Sequence, residues 1–331
     1  MNEGLRDLIE AGDLNGLLRA VDGLTSSRSW EELIELADEC EEALERGKQL
    51  WPIANHIDYR LALEAPGEYA AEVLTDDTSR FSHGPLTEVA ASSHTWEELA
   101  PHIDGPQLSA YVAQERVLRG EVLTGDERVA TDVLDLPLEL VGWEPTYTLA
   151  TYKPTVVEVA EPWEPKSPMT AARLDPALEL DEPTLSDSLL ELVQPWTSES
   201  NGAARSIVVE GDAVGAASHL VLERLVIGPL EPEEAVQRLA WAAASGGAHG
   251  RRRGAAFGRF LTWYTSSLVA DLSWPVGADE LGEGVAGLNW YRFDEGDPEE
   301  GWILRIVVED PEQGWSAALA ATDLLTEEQL D

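Results

Sequence analysis

The chain has 331 residues, of which 63 are acidic and 22 basic, and its formal charge is −41 at neutral pH. Apolar residues make up 44%, ordinary for a packed protein, so the acid excess does not signify a disordered chain. So negative a chain excludes the class of nucleic-acid binder that clamps phosphates with Lys and Arg, and it disfavours anionic lipid surfaces.

The opening Met1-Asn-Glu-Gly-Leu-Arg-Asp-Leu8 places charges where a secretion signal needs an apolar run. The longest uncharged stretch, Leu239–Gly250, has 12 residues. A spanning helix needs about 18. Cys40 is the only cysteine, so no disulfide forms within the chain. These features predict a soluble, cytoplasmic protein without a membrane partner. Lysine supplies only 3 of the 22 basic residues, which fits a GC-rich coding bias and a salt-adapted proteome equally.

Residues 1–120 read as helices. In Glu31–Leu44 the apolar Leu33, Ile34, Leu36, Ala37, Cys40, Ala43 and Leu44 recur at helical spacing. Ser29-Trp-Glu-Glu32 spells a capping box at its start, and Gly47 stops it. A second helix is expected from Pro52, a favourable first-turn residue, to Ala65. Ser26-Ser-Arg-Ser-Trp-Glu-Glu-Leu33 is echoed by Ser92-Ser-His-Thr-Trp-Glu-Glu-Leu99, an offset of 66 residues. That spacing suits two copies of a helical unit, or a good cap beside a buried Trp arising twice.

Residues 141–204 hold eight of the 19 prolines, with Trp-Glu-Pro at 143–145 and again at 163–165. Proline at this density predicts an extended crossover that packs Trp143, Trp163 and Trp196 on the body. Beyond it, Ile207–Val209 reads as a buried strand. Ala213–Leu225, Glu231–Ala244 and Arg251–Leu272 read as helices. Leu288–Phe293 and Ile303–Val308 read as an antiparallel hairpin around an acidic turn at 294–301, with Trp315–Thr322 a third strand or a short helix. The expected class is a helix-rich α+β protein. It comprises a helical-repeat-like lobe at 1–140, a Pro/Trp-rich crossover at 141–204, and at 205–331 helices with a small antiparallel β element.

Three stretches of the first lobe, Glu45-Arg-Gly-Lys-Gln-Leu-Trp-Pro52, Tyr59-Arg-Leu-Ala-Leu-Glu-Ala-Pro-Gly67 and His94-Thr-Trp-Glu-Glu-Leu-Ala-Pro-His102, resemble an uncharacterised family of high-GC actinobacterial proteins. The resemblance implies a bacterial cytoplasmic origin and transfers no ligand or catalytic residue.

The charge is unevenly distributed. Residues 1–140 carry −20, 141–204 carry −8 and 276–331 carry −13, whereas 205–275, with seven basic and seven acidic residues, is neutral. Two explanations apply: central helices expel charge, or a ligand-facing surface has been spared carboxylates. Inside this block lies Gly246-Gly-Ala-His-Gly-Arg-Arg-Arg-Gly-Ala-Ala-Phe-Gly-Arg-Phe260. Gly246, Gly250, Gly254 and Gly258 recur every four residues and, on a helix, form one smooth stripe. Arg251, Arg252 and Arg253 then sit near a helix start, where positive side chains oppose the dipole and call for a negative partner. Internal carboxylates can supply it. So can an anionic ligand held by Gly250, Arg251, Arg252, Arg253 and Arg259, with His249 as proton donor or acceptor.

Gly282-Glu-Gly-Val-Ala-Gly287 matches a dinucleotide fingerprint in letters only, since no strand precedes it and Glu283 would face the pyrophosphate. Walker A, G-x-S-x-G and H-E-x-x-H sequences are absent. The six histidines show no helical metal-ligand spacing, although His83, His94 and His102 are near neighbours in sequence. Cys40 is flanked by carboxylates that disfavour its thiolate. The acidic turn lacks the ligand order of a calcium loop. No cofactor and no metal are therefore expected. The pattern favours a non-catalytic interaction or scaffold protein whose acidic surface recruits a basic protein partner, without direct nucleic-acid binding. The alternative is a small-anion or phosphometabolite binder, or enzyme, using residues 246–259. A third reading takes the acid as salt adaptation alone.

Overall fold

Leu33, Leu36, Ala37 and Cys40 fall on one face of a helix and are all buried, and this stripe organises the N-terminal core. The structure, a computed structural model, describes residues 3–74, 84–162, 164–296 and 301–324. The chain divides into two compact units, one of residues 1–139 with 150–158 and one of residues 140–149 with 159–331.

The first unit is built from α1 (Glu3–Ala11), α2 (Leu14–Ser27), α3 (Trp30–Glu42), α4 (Trp51–Glu64), α5 (Gly67–Glu72), α6 (Leu86–Ser93), α7 (Trp96–Leu99) and α8 (Pro106–Leu118). Leu17, Val21, Ile53 and Ile57 close over the α3 stripe. A two-stranded sheet, β1 (Ala150–Lys153) with β2 (Val156–Val159), docks on this bundle. Tyr152 donates its hydroxyl to Glu88 of α6 at 2.8 Å, and Tyr59 of α4 donates to the Lys153 carbonyl.

The second unit carries a seven-stranded antiparallel sheet in the order β3-β6-β7-β8-β9-β5-β4. Its strands are β3 (Thr170–Ala172), β4 (Leu178–Glu179), β5 (Ala203–Glu210), β6 (Leu225–Leu230), β7 (Asn289–Asp294), β8 (Gly301–Asp310) and β9 (Trp315–Leu324). Ile306, Val307 and Val308 of the central strand β8 are at most 2% exposed, so the sheet is covered on both faces there. The helices of this unit are α9 (Pro183–Glu191), α10 (Gln194–Ser198), α11 (Ala213–Ala217), α12 (Pro232–Ala244), α13 (Ala255–Val269) and α14 (Ala278–Gly287). Ala213, Ala216 and Ala217 of α11 pack on Ile207, Val209, Val307 and Ala318 of the sheet.

The chain is thus a helix-rich α+β protein, as its pattern predicts, with a sheet larger than the small element expected. Trp315–Leu324 is the third strand rather than a helix. The helix expected over Ala213–Leu225 stops at Ala217, and β6 follows it. Residues 141–204 are not uniformly extended: Pro183 and Pro195 lie in the first turns of α9 and α10, where a missing N–H is harmless. Trp143 and Trp196 are anchored to the body through their indole N–H groups, on the Ala278 carbonyl and the Ser245 hydroxyl, both at 2.8 Å. Trp163 and residues 297–300 of the acidic turn lie outside the described residues.

The two echoed cap sequences behave differently. Thr95 forms the full capping box, accepting from Glu98 N while Glu98 accepts from Thr95 N at 2.8 Å. Ser29 makes no side-chain cap bond. Replacing Thr95 by Ala is expected to cost about 1 kcal/mol in urea unfolding, and Ser29→Ala only a few tenths. Equal losses at the two positions would contradict this assignment.

Candidate functional site

Of the four periodic glycines, only Gly258 lies inside a helix; residues 245–254 form a loop between α12 and α13. The reason is local. Gly254 has φ +94°, a left-handed conformation that a helix interior cannot contain, and it serves as the N-cap of α13. Both Arg253 N and Gly254 N donate to the Ala244 carbonyl, at 2.9 and 3.2 Å, folding the loop back on the end of α12. Gly258 does provide the smooth surface expected of it. A Cβ there would lie 2.6 Å from the Ala240 carbonyl oxygen, so α12 and α13 pack backbone to backbone.

The arginines of this element meet protein groups. Arg251 donates from its backbone N and from Nε to Glu199, at 2.9 and 3.3 Å. Arg253 reaches Glu191 Oε1 at 3.1 Å, the carbonyls of Glu191, Leu192 and Ala243 at 2.8 to 3.0 Å, and the face of Phe257. Arg252 is half-buried and engaged. His249 and Gly250 sit in the same surface loop, His249 exposed and Gly250 half-buried.

Arg259 is fully buried on Glu144, a residue that the sequence pattern did not single out. Its Nε and Nη2 each donate to one Glu144 oxygen at 2.7 Å, a bidentate pair. The Trp263 indole and the Tyr147 hydroxyl add donors at 2.9 and 2.6 Å, and Val141 N completes the shell at 3.0 Å. Burial alone would raise the Glu144 pKa, but the Arg259 guanidinium and these donors hold it below the usual carboxylate range. Burial also raises the Tyr147 phenol well above its ordinary value, with the Glu144 charge adding to it. Trp143 lies on Trp263 with ring centroids 5.1 Å apart. Gly282 of α14 leaves room for that indole, since a Cβ would come 2.4 Å from Trp143 Cδ1. The glycines resembling a dinucleotide fingerprint therefore belong to a packed helix.

A different electrostatic pattern marks α3. Glu31, Glu32, Glu35, Asp38, Glu41 and Glu42 are exposed along it, and the helix holds no basic residue. On the neighbouring α4, burial pushes the Asp58 carboxyl up to about 7, with Glu41 and Asp38 adding repulsion. Burial likewise raises the Cys40 thiol to about 11, with Glu39 and Glu41 contributing, which leaves it protonated at neutral pH. His94 is buried with its ring nitrogens on the Ala90 and Ala65 carbonyls, at 3.0 and 2.7 Å. His83 lies outside the described residues. Among the described residues no group of three His, Cys, Asp or Glu side chains could hold a metal ion, and no helix is long and apolar enough to cross a membrane.

Two measurements check these assignments. Glu144→Gln or Arg259→Met, each stranding a buried polar partner, should cost about 3–5 kcal/mol in urea unfolding, while replacing both by apolar residues should cost clearly less than the two losses combined. For Asp58, the native carboxyl holds a proton that the unfolded chain releases above about pH 4. Its contribution to stability is therefore complete below that pH and disappears as pH rises through about 7. Asp58→Asn should raise Tm by several degrees at pH 8 and leave it nearly unchanged at pH 4. An equal effect at both would contradict the assignment.

No curated protein and no solved structure matches the chain. A family model, described as a family of unknown function (DUF6183), matches residues 15–324, nearly the whole sequence. The chain belongs to that family of unknown function.

Proposed function

We infer that the protein is a non-catalytic interaction protein whose acidic surface recruits a basic protein partner. The observation that carries this reading is α3, with six exposed carboxylates and no basic residue of its own. Leu33, Leu36, Ala37 and Cys40 fix the opposite side of the helix in the core, so the acidic face is held toward solvent. Asp58, whose pKa is pushed up to about 7 by burial and by Glu41 and Asp38, supports the reading, because an arriving cation would relieve the same repulsion. An anion site at residues 246–259 has less support: Arg251, Arg253 and Arg259 already donate to Glu199, Glu191 and Glu144, which a ligand would have to displace.

Titration with a polylysine peptide tests the reading. Binding should weaken at least about tenfold as ionic strength rises from about 50 to 500 mM. The triple change Glu31→Lys, Glu35→Lys and Asp38→Lys should abolish most of it. The same number of reversals at Asp181, Glu182 and Asp187, which are exposed in the other unit, should have a much smaller effect. Salt-independent binding, or equal loss from both triple variants, would overturn the proposal.

A further inference from the structure

The second unit contains another gathering of arginine, drawn from positions far apart in the sequence. A cavity of about 460 Å³ is lined by Arg238 and Trp241 of α12, Arg292 of β7, Arg305 of β8, and Glu164 and Met169 of the segment before β3. Its volume is in the range of small-molecule sites, about 300–1,000 Å³. Three guanidiniums around one cavity stand out in a chain with 22 basic residues against 63 acidic ones.

Two donors here lack acceptors among the described residues. Trp241 is 6% exposed, and its indole N–H has no partner among the described residues. Arg292 Nε is buried and equally without one. The other Arg292 nitrogens reach the Ser167 carbonyl and Glu164, both at 3.1 Å. Orphaned buried N–H groups are rare in proteins, and each calls for an acceptor. Burial, and then the charge of Arg292, depress the pKa of Arg238, so two cations are held close enough to repel. Arg305 stands at the rim on Asp294 at 2.7 Å. The wall is not purely basic, since Glu161, Glu164 and Asp294 also line it. Glu164, however, is 89% exposed at its side chain. An exposed carboxylate is weakly held and can turn outward.

We propose that this cavity binds the phosphate group of a small phosphorylated ligand between Arg238, Arg292 and Trp241. A tetrahedral dianion offers acceptors in several directions at once, which suits two guanidiniums and an indole donor supplied by α12 and β7. It would take the place of Glu164 on Arg292, and the remaining volume accommodates an organic body beside the phosphate. This site is separate from the acidic face of α3 and does not rest on that reading.

The test is calorimetric titration of the whole chain with inorganic phosphate, phenyl phosphate and benzoate, with tryptophan fluorescence as a second readout. Both phosphates should bind saturably, phenyl phosphate more tightly, and benzoate weakly. Arg238→Gln should weaken phosphate binding by about tenfold or more, as expected for loss of a charge-assisted donor. Glu164→Gln, an exposed change that leaves the fold intact, should tighten it by about threefold or more by removing the competing carboxylate. The two phosphate arms distinguish sources: clearly tighter phenyl phosphate indicates an esterified ligand, and equal affinity indicates free phosphate. Absence of saturable binding to both the natural chain and Glu164→Gln would overturn the proposal. So would phosphate affinity unchanged by Glu164→Gln, or benzoate binding as tightly as phenyl phosphate.

Discussion

The buried pair of Glu144 and Arg259 is the contact on which the packing of residues 141–147 against α13 depends. Removing two charges from water costs several kcal/mol per ion, and their attraction offsets this only if the remaining polar atoms are also satisfied. Here five donor groups converge on one carboxylate, from Arg259, Trp263, Tyr147 and the backbone of Val141. Residues 141–147 must therefore lie against α13. With them comes Trp143, seated on Trp263 and beside Gly282, which in turn places α14.

The same pattern repeats along the proline-rich segment. Glu144, Glu191 and Glu199 all precede residue 205, and they pair with Arg259, Arg253 and Arg251, all of which follow it. Carboxylates of this proline-rich segment thus bind arginines that come later in the second unit, beside the indole contacts of Trp143 and Trp196. This changes the meaning of the neutral block at 205–275. Three of its arginines, Arg251, Arg253 and Arg259, answer acid outside the block. The acid of α3 faces solvent, whereas Arg259 is turned fully inward on Glu144. The cavity lined by Arg238, Arg292 and Trp241 differs, because Trp241 Nε1 and Arg292 Nε meet no acceptor among the described residues.

Much of this was legible in the sequence where periodicity and burial agree. The apolar stripe of α3, the helix at 232–244 and the β7–β8 hairpin follow from their side-chain patterns. Spacing misled where glycine was concerned. A four-residue repeat without side chains says nothing about helicity, and three of the four glycines lie in a loop whose purpose is a reversal at Ala244. β6 was hidden because Pro229 argues against an inner strand; β3 ends opposite Ile227, so Pro229 has a strand partner on the β7 side alone. Glu144, Arg238 and Arg292 were missed because their partners lie far away in the chain. Their one local sign was a charge beside apolar neighbours, as in Tyr291-Arg-Phe293 and Trp143-Glu-Pro145.

If the Glu144–Arg259 pair is shut off from water while the acid of α3 faces solvent, salt should act on the surface acid and not on the pair. The direct measurement is the unfolding free energy of the natural chain and of Glu144→Gln at about 0.05 and 1 M potassium chloride, where the Debye lengths are on the order of 14 and 3 Å. Screening of the acidic surface should stabilise both proteins at high salt, while the difference between them stays constant because water and ions do not reach the pair. A difference that falls by half or more in 1 M salt would place the pair in solvent contact and contradict the arrangement described above.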